Sequence, residues 1–489
     1  MIKSRRDFLK FSVASGVSAL TLPSELFADS SDFNDYKALV VIYNAGGNDG
    51  INTFIPSSND DKSGYPNYEK IRDGIRVKNS DLPLSISNGE LDLSSGNPYA
   101  SNDDLRESYT IGFYKHNGLD VATNALMPEL AHLVNQKKVA IVANCGNIIE
   151  PATKAEFKAK TKILPPFLYA HNHQTKLTMN AEASILDYTG WAGRLFDKWS
   201  SVNNGDIYGM NLAITRTEHL FYGKNTTPLI INAGGPSKYN KLNRNLYDQL
   251  LAINANNMFK KLYSNLQRHS FEMQDIIVND WNNNSPSFSS TNAYGGELFS
   301  NPSNAQLEQA SPTFADTSML RNLKAVAKLA YIGKNRGLKR QIFYVFDGGY
   351  DTHSNQTQQH ARKLRGMSLG LGDFHKALKD MGMENEVTTF NISDFGRSTG
   401  DNGDGTDHAW ASNYFAMGGA VKGGLYGTMP DLTLGSDNDM SKKGRLIPTT
   451  SMSQYYGTIL KWFGAEGEIL DHVLPELKNF PQQDLGFMN

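Results

Sequence analysis

Ala38-Leu39-Val40-Val41-Ile42-Tyr43, followed at once by Asn44-Ala45-Gly46-Gly47-Asn48-Asp49-Gly50, is the stretch on which the fold turns. A short apolar, β-branched run that stops at turn-forming residues reads as a strand buried on both faces. Six further runs share this character: Val139–Ala143, Leu212–Thr215, Leu229–Asn232, Gln341–Phe346, Val387–Ile392 and Tyr414–Met417. Helical patterns fall between several of them, at Met127–Gln136, Leu246–Arg268, Ser318–Asn335, Gln358–Met381 and Met452–Phe463. Strands alternating with helices predict an α/β fold, with a mostly parallel sheet between helices. Two stretches rich in Ser, Asn, Asp and Gly read as loop-rich insertions, near 56–122 and 281–312.

Composition narrows the function. Of 489 residues, 48 are Lys or Arg and 50 are Asp or Glu, a net charge of −2. That balance excludes a generally basic nucleic-acid binder and an acidic disordered tail protein. The single cysteine, Cys145, excludes an intramolecular disulfide framework and cysteine-rich metal sites. The N-terminus reads as an address. Ser4-Arg5-Arg6-Asp7-Phe8-Leu9-Lys10 precedes a mildly apolar run from Phe11 to Leu22. It resembles a bacterial twin-arginine signal over residues 1–28, and the run is too short for the ~20 residues of a spanning helix. The resemblance implies twin-arginine export machinery as a partner and a periplasmic or secreted product. The remainder, 29–489, reads as a single domain with no membrane span.

In open α/β sheets ligands collect at the carboxyl ends of the strands. Three strand ends carry carboxylates: Asn48-Asp49, then Asp347-Gly348-Gly349-Tyr350-Asp351-Thr352-His353, then Ser393-Asp394-Phe395-Gly396-Arg397. A fourth cluster, Thr406-Asp407-His408, lies just before Tyr414–Met417. Each alone is a plausible tight turn, helix cap or satisfied loop. Their repetition around one sheet predicts a carboxylate and histidine site for a divalent metal. A fifth cluster is His171-Asn172-His173-Gln174-Thr175. If that segment is extended, His171 and His173 point the same way.

Taken in order, these motifs resemble the bacterial DUF1501 family, grouped with alkaline phosphatases and sulfatases. The resemblance rests on Gly46-Gly47-Asn48-Asp49-Gly50, Val142-Ala143-Asn144, Glu150-Pro151, His171 with Gln174, and Gly190-Trp191. It continues through the clusters at 351–353, 393–397 and 406–408, then Gly418–Gly424 and Pro448-Thr449-Thr450. It implies an alkaline-phosphatase-like core and a metal-dependent hydrolase of phosphate or sulfate esters. The implied ligands are Asp49, Asp351, His353, Asp394 and His408. Asp407 stands either as a ligand or as the partner orienting His408. The implied metal is zinc, as one ion or two. The chemistry would be in-line displacement at phosphorus or sulfur. Arg397 is the expected oxyanion clamp, and Thr175 is the candidate nucleophile unless an activated water replaces it. The substrate would be a small anionic ester or a glycan.

The sequence also departs from the pattern. Asp394 stands where the family usually has Glu. Cys145 is followed by Gly146-Asn147-Ile148-Ile149, so the sulfatase motif Cys/Ser-x-Pro-x-Arg is missing. The alternative is a non-catalytic periplasmic or envelope protein of the same fold, binding a glycan or a protein.

Overall fold

The computed structural model describes residues 33–95, 105–236, 258–303 and 316–489, with Asn245, Leu246 and Gln249. The twin-arginine segment, residues 247–248 and 250–257 of the Leu246–Arg268 pattern, and residues 304–312 of the second loop-rich stretch lie outside these residues.

All seven runs form strands of one sheet. They are β1 (Lys37–Ala45), β2 (Val139–Gly146), β3 (Asn211–Ile214), β4 (Leu229–Ile231), β5 (Arg340–Gly348), β6 (Val387–Ser393) and β7 (Ser412–Met417). Two short strands complete it, β8 (Gly424–Tyr426) and β9 (Thr450–Ser451). The order is β8-β2-β7-β6-β1-β5-β3-β4, with β9 also pairing β2. β1 is central and parallel to both neighbours, with Asn44 level with Asp347 and with Ser393. β7 alone runs backwards, antiparallel to β6 and to β2. The architecture is therefore α/β with a mixed, mostly parallel sheet.

The helices used below are α1 (Pro128–Asn135), α2 (His171–Asn180), α3 (Trp191–Lys198), α4 (Met258–Asn283), α5 (Ser318–Asn335), α6 (Gln356–Asp380) and α7 (Met452–Phe463). Alternation along β1 divides the core. Val40 and Ile42 pack in one cluster with Leu323 and Val326 of α5 and Leu364 and Phe374 of α6. Leu39, Val41 and Tyr43 pack in the other with Trp191 and Leu195 of α3 and Ile459 of α7. Both faces of the sheet are covered, which is why its strands read as unbroken apolar runs.

This topology sets the site. β1, β5 and β6 all end at one rim. Because β7 is reversed, the residues that precede it, 406–411, lie at that rim as well. Much of the Pro56–Ala122 stretch is ordered by burial: Tyr65, Tyr68, Val77 and Phe113 form a small core with Ile51, Ile55 and Leu432. No helix among the described residues is long and apolar enough to cross a membrane.

Candidate metal centre

Four residues from one loop, one short hairpin and one helix meet at the rim. Asp351 and His353 follow β5, His408 precedes β7, and His171 begins α2. His171 Nε2 lies 3.0 Å from His408 Nε2, and His353 Nε2 lies 2.8 Å from the same atom. Asp351 Oδ1 is 3.0 Å from His408 Nε2 and 3.1 Å from His353 Nε2, and its Oδ2 is 3.4 Å from His171 Nε2. Ligand atoms of His171, Asp351 and His408 all lie within 4.8 Å of one another.

The outer partners fix what these atoms present. His171 Nδ1 donates to Asp394 Oδ2 at 2.6 Å, and a carboxylate only accepts. His408 Nδ1 donates to the Tyr169 carbonyl at 2.9 Å, which also only accepts. In the neutral rings both Nε2 atoms are therefore bare lone pairs aimed at each other and at a carboxylate. The Asp394 hydrogen bond raises the pKa of His171, whereas burial lowers that of His408. A proton on His171 satisfies one of these contacts. A cation would satisfy the whole group, and imidazoles with one carboxylate are a donor set that could hold a divalent metal.

Asp351 is held from behind. Arg397, almost fully buried, donates from Nη1 to Asp351 Oδ1 at 2.8 Å and to the Gly46 carbonyl at 3.3 Å. Its Nε donates to Thr406 Oγ1 at 3.1 Å, and its Nη2 to the Thr406 carbonyl. Gln356, at the start of α6, accepts from Thr406 Oγ1 at 2.6 Å and from Thr352 Oγ1 at 3.1 Å. Its amide donates to Asp49 Oδ2 at 2.5 Å. Two glycines make the rim possible. Gly46 has φ +118°, and a Cβ there would sit 2.4 Å from the Asp351 amide nitrogen. A Cβ on Gly396 would fall 1.8 Å from the Ala411 carbonyl oxygen.

Several expectations are corrected. Asp49 is no ligand in this arrangement. It is fully buried, ion-paired with Arg72, capped onto the amides of Ile51 and Asn52, and bonded by Gln356, so its oxygens are taken. Asp394 is also spent on protein, accepting from His171 and from the Gly46 amide at 2.9 Å, and so orients the His171 ring. Asp407 neighbours His353 Nδ1 at 3.7 Å and Lys443 at 3.6 Å, and it does not orient His408. Arg397 buttresses Asp351 and has no free fork for an oxyanion. Thr175 bonds the Tyr43 hydroxyl at 2.7 Å and makes no hydrogen bond to the converging groups. Asn48 accepts from buried His360 at 2.9 Å and serves the scaffold. The segment at 171 is helical, so His173 sits ~200° around the axis from His171 and stacks on Phe167, 4.1 Å between centroids. Tyr169 and Gln356 were missed because a backbone carbonyl and a lone Gln carry no motif. Cys145 is buried inside β2, where burial drives its thiol pKa far up.

Beside the centre opens a cleft of about 600 Å³, lined by Tyr43, His171, Thr175, Lys176, Arg216 and Tyr222 among others. Arg216 lies over the Phe346 ring at 4.0 Å.

The chain belongs to the DUF1501 family, described as a protein of unknown function, which matches residues 36–454. No curated protein matches the sequence. Among solved structures it is similar to the PsFucS1 sulfatase from Pseudoalteromonas sp., at 11% identity and TM-score 0.27, covering 89% of this chain and 69% of that one. It is similar also to the lipoteichoic acid synthase LtaP from Listeria monocytogenes, at 10% identity and TM-score 0.30, covering 94% and 81%. A variant of alkaline phosphatase PafA matches at 12% identity and TM-score 0.23, over 74% and 64%. At these scores the likeness carries no conclusion about activity.

Proposed function

We propose that this protein is an exported, metal-dependent hydrolase of phosphate or sulfate esters. One observation carries the reading: Nε2 of His171 and of His408, both bared by their outer hydrogen bonds, meet at 3.0 Å beside the Asp351 carboxylate. His171, His408 and Asp351, with His353 beside them, would hold the ion, and imidazole with carboxylate suits zinc. When bound, such an ion supplies Lewis-acid polarisation of an ester oxygen and activation of a water. The chain's own residues do the rest. Asp394 fixes the His171 tautomer, and the Tyr169 carbonyl fixes that of His408. Arg397 holds Asp351 in place. Lys176 places a positive charge in the cleft where an anionic ester would enter, while Arg216 there is ion-paired with Glu218 of the same cleft.

Elemental analysis of the purified full chain tests the first half. A divalent metal near one per chain is expected, and its loss in both His171→Ala and His408→Ala. A metal-free parent would sink the proposal. Hydrolysis of p-nitrophenyl phosphate, bis-p-nitrophenyl phosphate and p-nitrophenyl sulfate tests the second half. The engagement of Arg397, Asp49 and Thr175 with protein groups favours a second reading, a non-catalytic glycan-binding protein of the envelope. A metal-loaded chain that turns over none of the three esters yet retains an anionic glycan on a column would establish that reading instead.

A further inference from the structure

The segment leading into α2 carries a surface that the metal centre does not use. Of the twelve large apolar side chains exposed among the described residues, seven lie between residues 163 and 222. The densest group is Ile163 at 70%, Leu164 at 37% and Phe167 at 60% exposure, in Ile163-Leu164-Pro165-Pro166-Phe167. Phe167 and Tyr169 both have positive φ, +52° and +71°. Bulky side chains adopt that conformation only where surrounding structure imposes it. Here Gln174 of α2 binds the Pro166 carbonyl at 3.1 Å, and the Tyr169 carbonyl is pinned by His408. The lip is therefore tied to the ligand-bearing helix and holds its apolar tips outward.

Its charge is one-sided. From Phe157 to Ala181 there is no Asp or Glu, while Lys158, Lys160, Lys162 and Lys176 fall in that span. Lys162 pairs with Glu150. Lys158 and Lys160 are exposed and have no ion-pair partner among the described residues. Exposed aliphatic and aromatic tips beside free lysines are the chemistry of interfacial docking: the apolar side chains enter the headgroup region and the ammonium groups meet anionic lipid.

We propose that residues 158–167 dock the protein on an anionic phospholipid surface, with the mouth of the metal centre beside it. The proposal stands on the lip alone and does not require the hydrolase reading. It is tested by co-sedimentation of the full chain with phosphatidylcholine vesicles, with and without one quarter phosphatidylglycerol. The parent should pellet with the phosphatidylglycerol vesicles and release as salt is raised. Ile163→Ser with Phe167→Ser should weaken partitioning by roughly ten- to hundredfold, given the area these tips bury. Lys158→Gln with Lys160→Gln should weaken it severalfold and flatten its salt dependence. Ile163→Ser alone, at the most exposed side chain of the lip, keeps the test readable if the double variant fails to fold. All variants share the parent's N-terminus, so their difference reads the lip and not the leader. Equal partitioning of parent and variants overturns the proposal, as does failure of the parent to bind. Retention on a polyglutamate column that the variants lose, without vesicle binding, overturns it in favour of an acidic protein partner.

Discussion

Asp394→Asn is the sharpest perturbation of the centre, because it changes one atom and no volume. In the parent, Oδ2 accepts from His171 Nδ1 at 2.6 Å and Oδ1 accepts from the Gly46 amide at 2.9 Å. Both partners are donors, so both oxygens are required. An asparagine offers one oxygen and one NH2, which faces a donor in either orientation. If the oxygen stays with Gly46, His171 must move its proton to Nε2, the atom aimed at His408 and Asp351. If the oxygen turns to His171, the half-buried Gly46 amide is left facing a donor, which costs about 1 kcal/mol. Loss of a carboxylate that orients a ligating histidine lowers metal affinity by about 10- to 100-fold. That corresponds to about 1.4–2.7 kcal/mol. The assay is competition for zinc against a chromophoric chelator, with His171→Ala as the reference for full loss of that ligand. A dissociation constant unchanged within twofold, in a variant that keeps its fold, would refute the tautomer argument even if His171→Ala abolished binding.

Three further outcomes follow from the same contacts. Gln356→Leu removes the buried amide that joins Asp49 to Thr352 and Thr406, and should lower urea stability by about 3 kcal/mol or more with an unchanged slope; a loss under about 1 kcal/mol would show the network to be redundant. Gly46→Ala meets both a positive φ and the Asp351 backbone, and should reduce thermal stability and bound metal together; metal content unchanged alongside a lowered melting point would separate the two. Asp373 in α6 is buried, and its pKa is pushed up to about 7 by desolvation. The folded state keeps that proton where the unfolded chain, near pH 4, has released it. Stability from this group is therefore present below about pH 4 and is lost as pH rises through 7, by up to about 4 kcal/mol. Asp373→Asn should melt with a flatter dependence between pH 5 and 8, and an identical slope to the parent's would count against the raised value.

The sheet was legible because its strands are buried on both faces. A run such as Leu39–Tyr43 has no polar alternation to confuse with a surface helix. The site was legible in part, and the divide is physical. The convergence of Asp351, His353 and His408 was legible because all three sit in turns or short hairpins at the carboxyl ends of strands, where sequence and topology coincide. Asp49 was misread because a buried carboxylate in a Gly-rich turn looks the same whether it meets a metal or an arginine. Its partner Arg72 lies in the stretch read as loop-rich, so nothing local announced the pair. Arg397 was misread for a related reason: a guanidinium beside carboxylates fits a clamp and a strut equally well until its donors are assigned. His171 was placed in a cluster but given the wrong geometry, since a helix of Asn, Gln, Thr and Lys lacks the apolar stripe that periodicity detects.

The reversal of β7 explains the remaining feature, a histidine upstream of its strand. In an all-parallel sheet a loop that precedes a strand lies at the amino rim, away from ligands. Here the one antiparallel strand brings 406–411 to the carboxyl rim, and β6 feeds directly into it through the Arg397–His408 pairing. That pairing sets Arg397 against the backbone of the residue whose ring it serves through Asp351. The strut and the histidine are thus two positions of one short hairpin, and a substitution that slips its register by one residue would put the two side chains on opposite faces. Gly396 guards that register, because any side chain there runs into the Ala411 carbonyl. Gly396→Ala should accordingly cost metal binding and stability at once, and recovery of a folded, metal-loaded Gly396→Ala protein would show that the hairpin does not set the centre.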